Sequence, residues 1–160
     1  MTTEVDIDAL PYRPCVGLMV LNRDGRVFTG LDAAYEVWQM PQGGIEKGET
    51  PRDTAIRELT EETSIRADRA RILRESAHWL PYDAPRHLVP TSYGGRYRGQ
   101  TQRWFALTFL GEDSEIDVET EEPEFREWRW MQATEVIENA FAFKRQIYEH
   151  VFDEFADLCW

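Results

Sequence analysis

Little lysine, little cysteine and no long apolar run mark this chain, and each scarcity removes a class of function. Of its 18 basic residues only Lys47 and Lys144 are lysines, against 30 acids, for a net charge of -12. That balance argues against gripping a nucleic-acid backbone along its length, which takes a basic footprint, so no DNA partner is expected. It leaves open the capture of one terminus in a local pocket. The other basic residues are arginines, whose planar fork suits phosphate, although genomic base composition produces the same bias. Cys15 and Cys159 lie near opposite ends with no CxxC or Cys/His spacing, which argues against a zinc site or a disulfide framework. Cys15 opens an apolar run and is expected to be buried. No apolar stretch nears the ~20 residues of a bilayer span, and residues 1–10 lack the basic start and apolar core of a secretory signal. The expectation is a cytoplasmic protein with no membrane partner, taken as a monomer.

What is present suffices for a core. With 160 residues, 42% hydrophobic and 12% aromatic, the chain is expected to form one domain spanning 1–160, without repeats or low-complexity segments. "CVGLMVLN" is an apolar run of strand length, ended by the turn-like Asn22-Arg23-Asp24-Gly25, and "RVFTGL" reads as its hairpin partner. "VWQMPQGG" is a short extended piece expected to close in a Gly43-Gly44 turn. "TPRDTAIRELTEET" predicts a helix, with Thr50 as N-cap, Pro51 in the first position and Asp53 as the capping-box acid. "RARILRESAHWL", "TQRWFALTFL" and "EFREWRWM" predict further strands. "FKRQIYEHVFDEFADL" predicts an amphipathic helix with Ile147, Tyr148, Val151, Phe155 and Leu158 on one stripe. Strands before, between and after two main helices imply an α/β fold, a mixed sheet with helices packed on it.

The first of these helices carries an apparent contradiction. At 100° per residue, Glu61 and Glu62 fall at about -60° and +40° from Glu58, so three acids share one face where like charges repel. Ala55, Ile56 and Leu59 lie roughly 120° away and can pack on the sheet while the acids point elsewhere. One neighbouring Arg57 cannot satisfy three carboxylates. A solvated acidic face is the simplest reading of the acids alone; a hard divalent cation is the other. Oxygen-only ligands favour Mg²⁺ or Mn²⁺ over zinc, and glycine at 43 and 44 would let a backbone carbonyl approach.

The spacing over residues 43–65 decides between them. From Gly43 it runs five residues to Glu49, seven to Arg57-Glu58-Leu59, one to Glu61-Glu62, and one more to position 64 and Ile65. This resembles the Nudix box, G-x5-E-x7-R-E-U-x-E-E-x-G-U with U aliphatic, at every specified position except the last glycine, which is Ser64 here. A left-handed residue is expected there, at a cost on the order of 1 kcal/mol for serine relative to glycine. The resemblance implies a Nudix hydrolase: an α/β/α sandwich whose loop-helix-loop motif holds Mg²⁺, with Mn²⁺ as a substitute and more than one ion bound, and which cleaves a nucleoside diphosphate linked to another group.

The flanks "YRPCVGLMVLNRDGRV", "WQMPQGGI", "QRWFALTF", "PEFREWRWM" and "FKRQIYEHVFDEFA" are similar to the bacterial RNA pyrophosphohydrolases, a group that also includes dinucleoside polyphosphate hydrolases. That similarity implies removal of pyrophosphate from the 5′-triphosphate end of RNA, promoting mRNA decay; the alternative is hydrolysis of diadenosine tetra- or pentaphosphate, and a third reading is a non-catalytic nucleotide-binding module. Position by position, it implies that Glu58, Glu61, Glu62 and Glu124 are catalytic and metal-binding acids and that Gly43 offers a metal its carbonyl. Glu49 is implied to pair with Arg57 and orient the helix, and Arg13, Phe143 and Lys144 to contact the RNA end. Glu61 and Glu124 both remain candidates for the general base. Arg103 joins Arg86, Arg96, Arg98, Tyr93 and Tyr97 in a segment whose arginines and aromatics suit an unpaired end, or an ordinary solvated hairpin. "GLDAAYEV", just before the box, offers no basic residue for a phosphate.

Overall fold

The computed structural model describes residues 6–92 and 94–159; Tyr93 and the side chain of Cys159, both singled out above, lie outside what it describes. Eight strands form one sheet: β1 (Tyr12–Leu21), β2 (Val27–Asp32), β3 (Trp38–Gln39), β4 (Gln42–Gly44), β5 (Ala70–Glu75), β6 (Leu80–Asp83), β7 (Gly99–Phe109) and β8 (Phe125–Met131). The helices are α1 (Pro51–Thr63), α2 (Val89–Ser92), α3 (Ala133–Glu138), α4 (Ala142–Glu154) and α5 (Ala156–Cys159). The main path runs β3-β2-β1-β7-β5, with β4 on β1, β6 on β7 and β8 on β2. Only β1 and β7 pair in parallel; the other pairs are antiparallel, so the sheet is mixed as expected.

Alternation along the central strands divides the core in two. Val16, Leu18, Val20, Phe105 and Leu107 meet Ala55 and Leu59 of α1 on one face. Met19, Leu21 and Trp104 meet Tyr148, Val151 and Phe155 of the C-terminal helices on the other. The helical stripe read from sequence thus lies on the sheet, and the architecture is α/β/α. Cys15 is fully buried.

Two local expectations change. Gly43 and Gly44 do not turn; they lie in β4, opposite Val16 and Cys15 of β1. Their lack of side chains serves packing instead: a Cβ on Gly43 would collide with the Glu58 carboxyl group, and one on Gly44 with the Arg13 guanidinium. The strand expected over "RARILRESAHWL" breaks at Ser76. Its N–H donates to the Trp104 carbonyl at 2.7 Å, while its hydroxyl accepts from Trp104 N–H at 3.0 Å and donates to the His78 carbonyl at 2.9 Å. These bonds redirect the chain before β6 begins.

Helix α1 starts as its sequence dictates. Thr50 Oγ1 accepts from Asp53 N–H at 3.2 Å, and Asp53 Oδ2 accepts from Thr50 N–H at 3.1 Å, with Pro51 in the first turn. It ends at Ser64, which is left-handed at φ 66°, ψ 6°. Ser64 Oγ also donates to the Asp117 carbonyl at 2.7 Å, tying the helix end to the acidic loop. The helix is docked on β4 through Arg57. Its Nε and Nη2 grip Glu49 at 2.7 and 2.9 Å, and Nη2 also reaches the Gly44 carbonyl at 3.0 Å. Glu49 accepts from Glu46 N–H and Thr54 Oγ1 as well, at 2.9 and 3.0 Å. The Arg57 guanidinium, helped by these donors, holds the Glu49 carboxyl down at about 2.

Two outcomes follow from these ends of α1. Ser64→Gly relieves left-handed strain on the order of 1 kcal/mol but loses a hydrogen bond of similar worth, whereas Ser64→Ala loses the bond and keeps the strain. Urea titration should therefore find the glycine variant within about 1 kcal/mol of the parent, and the alanine variant less stable than the glycine variant. Because the folded Glu49 pKa is depressed, its stabilisation is present above the ordinary value of 4.5 and fades as pH falls toward 2. Glu49→Gln should flatten the acid limb of Tm against pH in that window, read by calorimetry.

Candidate active site

The acids of α1 line a polar cleft together with Glu124, from the loop before β8. Beneath it Glu58, Glu62 and Glu124 share a smaller cavity of about 250 Å³ with Arg13, Gly43 and Gln42. The three helix acids are not equivalent. Glu61 is the most exposed, at 57% of its side chain, Glu58 is 12% exposed, and Glu62 is buried. Arg57 Nη1 donates to Glu58 Oε1 at 2.9 Å and to Glu61 Oε2 at 3.0 Å. One arginine thus reaches two of the three acids, and Glu62 Oε2 is left buried with no hydrogen-bond partner.

An orphaned buried carboxylate oxygen is costly, and the protonation equilibria show it. Burial pushes the Glu62 carboxyl well above its ordinary range; Glu58 and Glu124 add repulsion, and the Gln42 backbone N–H draws it only partly back. Glu58 is raised by burial against the pull of Arg57. Glu124 is raised by burial, then by Asp32 and Glu122. Among the described residues no three acidic, histidine or cysteine side chains converge on one point, and Arg57 holds both Glu58 and Glu61. The donor set nonetheless suits a hard divalent cation: oxygen only, one carboxylate oxygen unsatisfied, and a glycine strand that leaves Glu58 room.

A second cavity, of about 280 Å³, opens beside the acids and shares Asp32, Gln39, Gln42 and Gln100 with the acid cavity. Its walls are aromatic. Phe141 and Phe143 stack with centroids 5.1 Å apart, Tyr82 leans on Phe143 at 5.8 Å, and Tyr35 meets Phe141 edge-on at 5.8 Å. Lys144 also lines it, though buried. Its Nζ donates to Gln39 Oε1 at 2.7 Å, and Gln39 Nε2 donates to Asp32 Oδ2 at 2.6 Å. Burial brings Lys144 down to about 8, with Asp32 and Glu62 holding it up against that pull.

Arg13, Phe143 and Lys144 therefore line one or other of these two adjoining cavities. Arg103 does not. On β7 its neighbours Gln102 and Trp104 face α4, so alternation sends Arg103 to the opposite side, where it sits 5.9 Å over the Trp79 ring and 3.6 Å from Glu75. Arg98 and Arg86 are likewise engaged, with Asp83 at 2.6 Å and Asp8 at 2.9 Å. Sequence reasoning passed over Asp32, Tyr35, Gln39, Gln42, Gln100 and Phe141. Phe141 carried a signal, an aromatic two positions before Phe143; the polar residues carried none, since only the sheet brings them together.

The wider comparison agrees with this geometry. A polypeptide from Roseobacter denitrificans named RNA pyrophosphohydrolase is 52% identical over 157 residues, covering 97% of this chain and 98% of its own. One of the same name from Sphingopyxis alaskensis is 50% identical, covering 96% and 99%. Among solved structures, an E. coli dihydroneopterin triphosphate pyrophosphohydrolase superposes with a TM-score of 0.68 at 22% identity, over 88% of this chain and 96% of that one. A C. elegans Ap4A hydrolase does so at 0.65 and 18%, over 89% and 98%; both are likenesses of fold. The Nudix domain pattern matches residues 11–151, and the chain belongs to the Nudix hydrolase family.

Proposed function

We propose that this chain is an RNA pyrophosphohydrolase, which removes pyrophosphate from the 5′-triphosphate end of RNA and leaves a 5′-monophosphate. The observation that carries this reading is the adjacency of the two cavities: an acid cavity with an unsatisfied carboxylate shares Asp32, Gln39, Gln42 and Gln100 with an aromatic pocket of about 280 Å³. Relatives of that name, similar over nearly their full length, support it.

Hydrolases of this family need divalent cations; for this chain we assign Mg²⁺, with Mn²⁺ as substitute, to Glu58, Glu62 and the Gly43 carbonyl, with Glu61 and Glu124 at the periphery. When bound, such a cation neutralises phosphate oxygens and eases deprotonation of the attacking water. The residues of the chain do the rest. Arg13, packed over Gly44 at the cavity wall, orients the triphosphate. Glu124 accepts the proton from water: it lines both the cleft and the cavity and has no ion-pair partner among the described residues, whereas Glu61 is held by Arg57. Phe141, Phe143 and Tyr35 receive an unstacked base, which suits an unpaired RNA end. Net charge -12 then discourages contact with RNA beyond the pocket.

Glu62→Gln and Glu124→Gln should each lower kcat by at least about 10²-fold while circular dichroism shows the fold retained. Near-normal turnover in both variants would place the chemistry elsewhere. Pyrophosphate release should stop in chelator. It should be roughly 10²-fold faster from an RNA with a free 5′ overhang than from the same RNA annealed to a blunt end, since splaying a paired base costs a few kcal/mol. Fast cleavage of diadenosine tetraphosphate with no release from RNA would make the chain a dinucleoside polyphosphate hydrolase instead.

A further inference from the structure

Serine at position 64 does something that ending a helix does not require. Its backbone is left-handed at φ 66°, ψ 6°, a conformation that glycine adopts without strain. The hydroxyl bond offsets the strain, so serine and glycine end α1 about equally well. What serine supplies and glycine cannot is the bond from Oγ to the Asp117 carbonyl at 2.7 Å. Beside it, Asp117 N–H donates to the Thr63 carbonyl at 2.9 Å. Both backbone polar groups of Asp117 are therefore held by the C-terminal end of α1.

This clamp is among the last holds on the acidic loop before Glu124. Upstream the loop is well anchored: Arg69 grips Glu115 at 2.8 and 3.1 Å, and Ile116 and Val118 are buried in the core beneath α1. Glu119 N–H then donates to Asp117 Oδ1 at 2.9 Å. From there Thr120, Glu121, Glu122 and Pro123 make no hydrogen bond or ion pair among the described residues, until the Glu124 carbonyl accepts from Ala33 N–H at 3.0 Å. Charge opposes the approach of this run to the helix. Glu121, Glu122 and Glu124 share one cleft with Glu58, Glu61 and Glu62, and like charges drive loop and helix apart.

We propose that Ser64 is a positioning residue, whose hydroxyl holds the acidic loop against the end of α1 and so keeps Glu124 in the acid cavity; the proposal rests on the role of Glu124 in proton transfer given above. Glycine in its place would end the helix but release the Asp117 carbonyl. The run from Glu119 to Glu124 would then open locally, driven by the charge it carries. Misplacing a catalytic group by about 1 Å costs up to ~10²-fold in rate. A loop that still spends part of its time in place loses less, about tenfold.

The test separates the hydroxyl from the strain. Ser64→Gly and Ser64→Ala should both lower kcat about tenfold with KM changed by less than about twofold, although the alanine variant is the less stable. Turnover then follows the hydroxyl, and stability follows the left-handed backbone. On a Glu124→Gln background, Ser64→Gly should cost nothing further, because the group it positions is already gone. Hydrogen exchange of the metal-free protein should be faster over residues 118–124 in Ser64→Gly and unchanged within α1. An unchanged kcat in Ser64→Gly, or an equal loss with and without Glu124, would overturn the proposal. Near-normal turnover of Glu124→Gln alone would instead remove the proposed role of Glu124. A parent inactive on RNA would fail the proposed function separately, and the same cycle is then read on diadenosine tetraphosphate. Where neither substrate reports on Glu124, exchange decides: faster exchange confined to residues 118–124 supports the clamp, and exchange like the parent's overturns it.

Discussion

A single guanidinium organises the acid-lined end of this molecule. Arg57 grips Glu49, touches the Gly44 carbonyl, and reaches Glu58 and Glu61 with its remaining nitrogen. These contacts dock α1 on β4 and bring the loop between them into register. They also settle how three acids coexist on one helical face in a chain already rich in negative charge. Two are compensated by Arg57 and the third is not. Bidentate and charge-assisted bonds of this kind fix geometry as well as energy, so the uncompensated Glu62 is held in place rather than free to turn to water.

The rest of the site depends on what that arrangement leaves. A buried carboxylate oxygen with no partner is stored electrostatic cost, and in this fold it lies where a glycine strand and Glu124 meet the helix. Local geometry without side chains is used here for packing: Gly43 leaves room for the Glu58 carboxyl, and Gly44 for Arg13. The same economy of partners governs the aromatic pocket. Its Gln102 and Gln39 amides are oriented by groups that cannot reverse, the Trp104 indole and the Lys144 ammonium, so its polarity is a property of the core behind it and not of the surface that a ligand meets.

Strained and capped positions mark the limits of α1. Its start follows from Thr50, Pro51 and Asp53, all local. Its end sits in the left-handed region at a serine where the motif has glycine, and the serine offsets its strain with a bond across to Asp117. That bond also ties the helix to the acidic loop that delivers Glu124.

Local sequence dictates whatever depends on nearest neighbours and periodicity. The apolar run of β1, the capped helix α1, the common face of Glu58, Glu61 and Glu62, and the buried stripe of α4 are all consequences of spacing along one segment. The spacing of the box also made the family legible. Contacts that join distant segments were decided only by the tertiary structure. Two adjacent glycines read as a turn because nothing local showed the carboxylate and guanidinium that need their space. Arg103 read as a partner for substrate because composition does not say which face of β7 it occupies. The chain from Lys144 through Gln39 to Asp32 spans more than 100 positions in sequence, and its members become neighbours only when the sheet closes beneath α4. Hydrogen-bond partnership is a property of proximity, and proximity across a sheet is not written in the spacing of either strand.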